Sequence, residues 1–81
     1  MEKPIVYTSG ECPYSLAVKE YLKNNHIDFE ERNISLCPEG KRELMKLGYS
    51  LVPVVVYGDT IITGFEPEQL NELKIRVRKN G

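Results

Sequence analysis

The sequence predicts a small α/β domain in which a four-stranded mixed sheet is flanked by three helices. Short β-branched runs alternate with segments whose apolar residues recur every three or four positions. Their order is strand–helix–strand, then a helix, then two strands around a tight turn, then a last helix. This order is typical of a mixed sheet with helices on both faces. The pattern predicts the class but not the order of the strands.

The first half of the chain contains a strand, a helix and a second strand. Residues 5–8 form an apolar, β-branched run typical of a buried strand. Pro13 suits the first turn of a helix, because an N–H at that position has no helical partner. The helix should end near residues 24–25, and residues 28–34 alternate well enough to form the second strand. Residues with helical spacing are predicted to share one buried face: Tyr14, Ala17, Val18, Tyr21 and Leu22.

A second helix is predicted between Pro38 and Gly48, because glycine readily adopts the left-handed conformation that ends helices. Leu44 and Leu47 are its predicted inward residues. No internal repeat or linker interrupts the chain. Residues 1–81 are therefore predicted to form one domain.

The C-terminal part predicts a hairpin and a closing helix. Residues 54–57 and 60–63 are β-branched runs separated by Gly58-Asp59, a dipeptide that fits a tight turn. The last helix is predicted to begin near Pro67. Its acidic residues lie near the start and its basic residues near the end, as the helix dipole favours. Its buried stripe is predicted to be Leu70, Leu73 and Val77.

Composition excludes several classes of protein. The 11 basic and 12 acidic residues leave a net charge of −1 without a basic block, which argues against nucleic acid as a partner. No apolar run approaches the roughly 20 residues of a membrane span. Two cysteines are too few for a disulfide scaffold, and a strand is predicted directly after residue 4. We therefore expect a cytoplasmic protein with no membrane partner.

The residues with the clearest chemistry are Cys12-Pro13-Tyr14-Ser15, where a strand leads into a helix. Free backbone N–H groups and the helix dipole can stabilise a thiolate at this point. Since the thiolate is the form that attacks disulfides, Cys12 is the predicted nucleophile. Ser15 lies three residues on, on the same side of the helix. It can donate a hydrogen bond to the sulfur but cannot serve as a second thiol.

These motifs resemble the glutaredoxins of the thioredoxin-like superfamily. Val6-Tyr7-Thr8 before the Cys-Pro-Tyr-Ser segment resembles the first strand and active site of that family, and Val52-Pro53 resembles its cis-proline segment. Gly64 and the residues after it occupy the place of the glycine turn of the family. The resemblance runs from Ile5 to about Val77. It implies a thioredoxin-like fold with the site at the edge of the sheet.

The resemblance also implies a glutathione site. Glutathione would be the co-substrate, and no resident metal is expected. Tyr14 either lines the groove or belongs to the core stripe, and a carboxylate of glutathione needs a cation, for which Arg42 or Lys41 is the candidate. The residues implied to bind glutathione are Pro13, Tyr14, Val52, Pro53, Gly64, Phe65, Glu66 and Arg42.

The chain also departs from the family pattern. Ser9 stands where the family often has a lysine, and Glu11 beside Cys12 should slightly oppose thiolate formation. Leu51 replaces the usual threonine. Gly64-Phe65 with the following residues is similar to the redoxins that serve ribonucleotide reductase and take electrons from thioredoxin reductase. Those redoxins use two active-site cysteines, so the absence of a second thiol here argues against that function. The two resemblances indicate different reductants.

Three functions are compatible with these residues, and the sequence favours the first, with the other two as alternatives. The first is a monothiol, glutathione-dependent oxidoreductase that reduces glutathionylated or disulfide-containing proteins. The second is an electron donor linked to thioredoxin reductase. The third is a dimer that carries a [2Fe–2S] cluster, although Pro13 usually opposes this. A monomer is expected, with a dimer through Cys37 or a cluster as the alternative, and the sequence leaves open whether position 12 is encoded as selenocysteine.

Overall fold

The structure, a computed structural model, describes residues 3–10 and 12–80. They form the predicted α/β fold. The elements in chain order are β1 (Ile5–Thr8), α1 (Pro13–Asn24), β2 (Glu30–Asn33), α2 (Pro38–Lys46), β3 (Val54–Tyr57), β4 (Thr60–Thr63) and α3 (Pro67–Asn80). Among the described residues, no helix is both long enough and apolar enough to cross a bilayer.

The four strands form one mixed sheet in the order β2-β1-β3-β4. β1 runs parallel to β2 and antiparallel to β3, and β3 and β4 form the predicted hairpin. Gly58 has a φ of +57° in the hairpin turn, a conformation that glycine adopts without strain. The sheet therefore places β1, which leads to Cys12, beside β3, which follows Val52–Pro53.

The core is divided between the two faces of the sheet. On one face, Val6 and Val55 pack with buried residues of α1 and α3, among them the predicted Leu70 and Leu73. On the other face, Leu44 of α2 packs with Tyr7 and Val54. The predicted side chains of α3 are confirmed, and Val77 is half-buried against the core.

Polar contacts hold the elements of the N-terminal half together. The buried Thr8 hydroxyl donates to the Glu31 carboxylate at 2.8 Å, and Lys19 of α1 pairs with the same oxygen at 2.9 Å. Burial raises the pKa of Glu31, but the hydrogen bonds from Lys19 and Thr8 outweigh it, so the pKa lies below its ordinary value. These contacts join α1, β1 and β2 close to the point where the chain turns towards Cys12.

A second set of polar contacts joins β1 and β2 to α2. Arg32 pairs with Glu30 and Glu43, and the Tyr7 hydroxyl donates to Glu43 at 3.3 Å. Burial, followed by the charge of Glu43, raises the pKa of Tyr7. The hydrogen bond from this buried tyrosine joins β1 to α2.

Three expectations from the sequence are wrong in detail. β2 is four residues long instead of seven, because the Asn33 side chain accepts the N–H of Ser35 at 2.9 Å and turns the chain. Leu47 is 41% exposed, since α2 ends at Lys46 and Leu47 is its C-terminal cap. Tyr14 is 64% exposed and belongs to no core cluster, while Ser15 is buried in its place.

Candidate active site

Cys12 lies at the junction that the sequence predicts. It is the N-cap of α1 with an extended backbone (φ −85°, ψ 115°), and Pro13 occupies the first turn. The thiol is half-buried and makes no disulfide. Its Sγ lies 3.9 Å from the carbonyl oxygen of Val52, to which the thiol can donate. The cysteine is thus placed at a helix N-terminus, accessible and next to the segment before β3.

Ser15 stabilises the charged form of Cys12. Its side chain is 1% exposed, and Oγ has no hydrogen-bond partner within residues 3–10 and 12–80. Because this unpaired hydroxyl can donate to a Cys12 thiolate, as the Ser15 N–H also can, the pKa of Cys12 is lowered. Burial acts in the opposite direction, and the Tyr14 N–H adds to the lowering. The predicted effect of Glu11 falls outside the described residues.

Replacing Ser15 with alanine should raise the pKa of Cys12, because the largest stabilising hydrogen bond to the thiolate is lost. The stability change should depend on pH. Where Cys12 is a thiol, the variant should be at least as stable as the wild type, since the buried hydroxyl has no other partner. As pH rises through the folded pKa of Cys12, the variant should become the less stable of the two.

The measurements are a thiolate absorbance titration and urea unfolding across the same pH range. Ser50→Ala is the matched control, because it removes the same hydroxyl from an exposed residue that makes no described contact with the sulfur. A titration midpoint equal in wild type and Ser15→Ala would contradict the role assigned to Ser15.

The peptide bond between Val52 and Pro53 is cis, as the resemblance implies. The Pro53 carbonyl oxygen accepts the N–H of Gly64 at 2.9 Å, and Gly64 has a φ of +75°. Pro53 and Gly64 are therefore neighbours in space, and both belong to the set that the sequence assigns to substrate binding.

A cavity of about 480 Å³ adjoins this segment. Its lining comes from Pro53, residues 48–51 and residues 63–64, and none of these side chains is charged. Sequence reasoning does not identify residues 48–50 as part of a site. The available signal is the loop Gly48-Tyr49-Ser50 just before the Val-Pro segment, but only the sheet order brings it beside Thr63.

The other predicted site residues are more dispersed. Tyr14 is solvent-exposed on the first turn of α1, so its assignment to the core is excluded. Phe65 packs edge-on against Tyr21, with ring centres 6.3 Å apart, and supports the core. Glu66 and Arg42 are exposed, and no described contact joins Arg42 to Cys12 or to the cavity.

Cys37 occupies a second helix N-terminus. It is the N-cap of α2, and its Sγ accepts the N–H of Gly40 at 3.3 Å. The sequence leaves its role open between an incidental loop thiol and a redox thiol. The structure gives it a capping contact that holds the start of α2.

Within residues 3–10 and 12–80 no group of three or more His, Cys, Asp or Glu side chains could hold a metal ion. His26 lies exposed in the turn after α1 with a φ of +58°. A cluster shared between two copies would need a second chain, so that hypothesis stays a prediction.

Known proteins match this chain over the segments that form the site. The glutaredoxin family model matches residues 5–62, which include β1, Cys12, Ser15 and the Val52–Pro53 segment. The chain belongs to the glutaredoxin family. It is 35% identical over 68 residues to the glutaredoxin-like protein NrdH of Escherichia coli (strain K12), a match that covers 84% of each chain.

Solved structures of this family share the fold. NrdH-redoxin from Escherichia coli is 33% identical, with a TM-score of 0.81 over 89% of this chain and 95% of that chain. Glutaredoxin from Archaeoglobus fulgidus is 34% identical, with a TM-score of 0.77 over 90% and 86%. The fold is therefore thioredoxin-like, and the chain is a thiol–disulfide oxidoreductase of the glutaredoxin type.

Proposed function

We propose that this glutaredoxin-family protein donates electrons to protein disulfides as an NrdH-type redoxin that works through Cys12 alone. The observation that carries the proposal is a thiol with a lowered pKa next to the Val52–Pro53 segment, which borders an uncharged cavity, with Ser15 where a second thiol would stand. The Escherichia coli NrdH-redoxin is described as having a thioredoxin-like activity profile, which supports a protein disulfide as substrate.

The chemistry proceeds by three exchanges. The Cys12 thiolate attacks one sulfur of the partner disulfide, so a Cys12–partner disulfide forms and the other partner sulfur leaves as a thiolate that takes up a proton. A thiol of a dithiol reductase of the thioredoxin-reductase class then attacks Cys12 Sγ and releases the reduced partner. The second thiol of the reductase attacks the first and displaces Cys12, which returns as a thiolate while the reductase becomes a disulfide. A single thiol in this chain is sufficient for all three exchanges.

Electrostatics favour this function over a glutathione-dependent one. Glutathione carries two carboxylates, which are bound well by cations and backbone donors. The side chains that line the cavity include no lysine or arginine, and Ser9 stands where the family often has a lysine. Arg42 and Lys41 are exposed on α2 without a described contact to the site.

Glutathione-dependent reduction is the second candidate. The observation in its favour is that Pro53 and Gly64, two residues assigned to glutathione by resemblance, line the same cavity. In this case Val52 would bind the cysteinyl backbone, and Glu66 would accept from the γ-glutamyl ammonium. Arg42 would need to reach a carboxylate from α2.

The test compares two electron sources with one substrate. NADPH oxidation is followed with insulin disulfides as substrate, in one assay through thioredoxin reductase from the source organism and in the other through glutathione and glutathione reductase. We expect faster turnover with thioredoxin reductase. Faster turnover with glutathione would overturn the proposal and support the second candidate.

Ser15→Cys is the matched variant, because it adds the second thiol of the two-cysteine redoxins without changing the rest of the site. The wild type should already turn over with thioredoxin reductase. If only Ser15→Cys turned over, catalysis through one thiol would be wrong although the family assignment would stand.

A further inference from the structure

One edge of the sheet lacks the features that usually protect an exposed strand. β4 (Thr60–Thr63) pairs with β3 on one side, and among the described residues no strand covers its other side, the β4 edge. The strand contains no charged residue and no proline, and its register with β3 is continuous. Natural sheets commonly place charges, proline or a bulge at an edge, because open N–H and C=O groups can pair with another strand. At the opposite edge, three of the four residues of β2 are charged.

The register of the hairpin shows which backbone groups are open. The Gly64 N–H bonds to the Pro53 carbonyl at 2.9 Å, so it faces β3. Because these groups alternate along an antiparallel strand, those of Ile62 also face β3, whereas those of Ile61 and Thr63 point to the β4 edge. Each of these two residues therefore offers one donor and one acceptor to a neighbouring strand.

We propose that the β4 edge pairs with the β4 edge of a second copy of this chain, antiparallel and about a two-fold axis through Ile61. An axis perpendicular to the sheet keeps the two copies in the same orientation, so the two four-stranded sheets become one continuous sheet. The Ile61 groups of the two copies then bond each other. Thr63 of each copy lies opposite Asp59 of the other, so the strands oppose no like charges. This inference goes beyond the proposed function and does not depend on it.

The side chains on the α2 face of the sheet fit this pairing. Ile61 lies beside its cross-strand neighbour Val56 on this face, and it is 36% exposed. The axis places Ile61 of one copy directly across from Ile61 of the other, and apolar cross-strand pairs stabilise antiparallel strands. Their contact extends the apolar row that Val56 forms with Ile5 of β1. A side chain that is exposed in one copy is therefore covered by the same side chain of the second.

The other face of the sheet supplies a pair of opposite charges. Arg76 of α3 donates to the Thr60 hydroxyl, so its side chain lies at the β4 edge. Glu72 is one turn earlier on the same side of α3, and both residues are exposed. Because α3 begins after β4 ends and reaches Thr60 again at Arg76, the helix runs back along the strand.

The spacing of these charges matches the axis. Arg76 is level with Thr60, which is about 3.3 Å from Ile61 along the strand. Glu72 is about 6 Å from Arg76 along the helix, in the direction of Ile61. Arg76 and Glu72 therefore lie about 3 Å on either side of the axis, and the two-fold rotation brings Glu72 of each copy opposite Arg76 of the other. This complementarity favours a second copy over an unrelated strand, which would have to supply matching charges.

The association should be weak and visible only in concentrated protein. Two four-residue strands and their flanking charges should bury less than the roughly 1,200 Å² of a stable interface, so we expect a dissociation constant of about 10 µM to 1 mM. Sedimentation equilibrium from about 20 µM to 2 mM, with a thiol reductant and a chelator present, should show the average mass rising towards twice that of the monomer. A chain that stays monomeric throughout would overturn the inference and leave the edge to an extended segment of another protein.

Amide hydrogen exchange locates the contact. The Ile61 N–H is open in the monomer and bonded in the pair, whereas the Ile62 N–H is bonded to β3 in both. Where about nine-tenths of the chains are paired, exchange at Ile61 should be about ten-fold slower than in dilute protein, and exchange at Ile62 should change much less. Association without slower exchange at Ile61 would place the interface elsewhere and overturn the inference.

Ile61→Lys is the first mutational test, because it opposes two lysines at the axis and adds a charge to the edge. The dissociation constant should rise at least about ten-fold. Leu36→Lys makes the same kind of change at a residue that is 83% exposed in the loop before α2, and it should associate like the wild type. Circular dichroism checks that both variants fold. Wild-type association of a folded Ile61→Lys variant would contradict the proposal.

Charge reversal at exposed positions of α3 tests the two-fold arrangement independently of the strand. Glu72→Arg places an arginine opposite Arg76 twice in the pair, so the dissociation constant should rise about five- to ten-fold. The double variant Glu72→Arg/Arg76→Glu restores opposite charges and should return close to the wild-type value. A double variant that associates no better than Glu72→Arg would contradict the two-fold arrangement.

Discussion

Replacing Cys12 with serine should abolish disulfide reduction with either electron source. The serine hydroxyl stays protonated at neutral pH and cannot form the mixed disulfide on which the exchange cycle depends. The site around position 12 should be unchanged, because the cysteine side chain makes no capping hydrogen bond that serine would lose. NADPH oxidation coupled to insulin reduction measures the loss, which should be complete within detection.

Cys37→Ser is the matched control for this result. Both cysteines are helix N-caps, but Cys37 Sγ accepts a hydrogen bond from the Gly40 N–H, which a serine oxygen accepts at least as well. We therefore expect Cys37→Ser to retain most of the wild-type rate and its stability. Equal losses in the two variants would show that Cys37 takes part in the exchange and that catalysis through one thiol is wrong.

The sequence predicts the site chemistry well because local rules determine it. Pro13 marks the first turn of α1, and this alone places Cys12 at the helix N-terminus. Ser15 follows three residues later on the same side, as helix geometry requires. The Val52–Pro53 bond is a different case, because its cis form is implied by family resemblance and not by local propensity.

Element ends and exposed apolar residues are predicted less well. Tyr14 fits the helical spacing of the buried face of α1, but it lies in the first turn of that helix and is 64% exposed. Leu47 fits the spacing of α2, but that helix ends one residue earlier. Periodicity describes where a side chain would point in an ideal helix, and it contains no information about how far the opposing surface extends.

The cavity beside Pro53 could not be predicted from local pattern. Residues 48–51 belong to the loop after α2, whereas Thr63 ends β4 and Gly64 follows it. They meet because β4 pairs with β3, directly after Pro53. The sequence predicts the hairpin but does not order the strands of the sheet, and the pocket depends on both.

The packing of α1 both stabilises the domain and holds Cys12 in its position at the site. Val18 and Leu22 are fully buried on this helix, in the cluster that includes Val6 of β1 and Leu70 of α3. These contacts hold the helix against the sheet, and thereby hold its first turn beside Val52. The residues that keep Cys12 at the site are therefore core residues up to three turns away.

Leu22→Ala should accordingly destabilise the domain by about 2–5 kcal/mol, since Leu22 is 0% exposed and its removal leaves a cavity between α1 and the sheet. A domain of this size has a free energy of unfolding of about 4–12 kcal/mol, so this loss is a large fraction of the total. Leu36→Ala is the control, because Leu36 is 83% exposed and should change stability by less than about 0.5 kcal/mol. Urea unfolding at neutral pH measures both variants, and the rate of Cys12 with 4,4′-dithiodipyridine reports the site in the molecules that remain folded. Similar stability losses in the two variants would contradict this description of the core. A folded Leu22→Ala protein with a wild-type thiol pKa would show that Ser15 and the helix N-terminus set the pKa of Cys12 independently of the core packing.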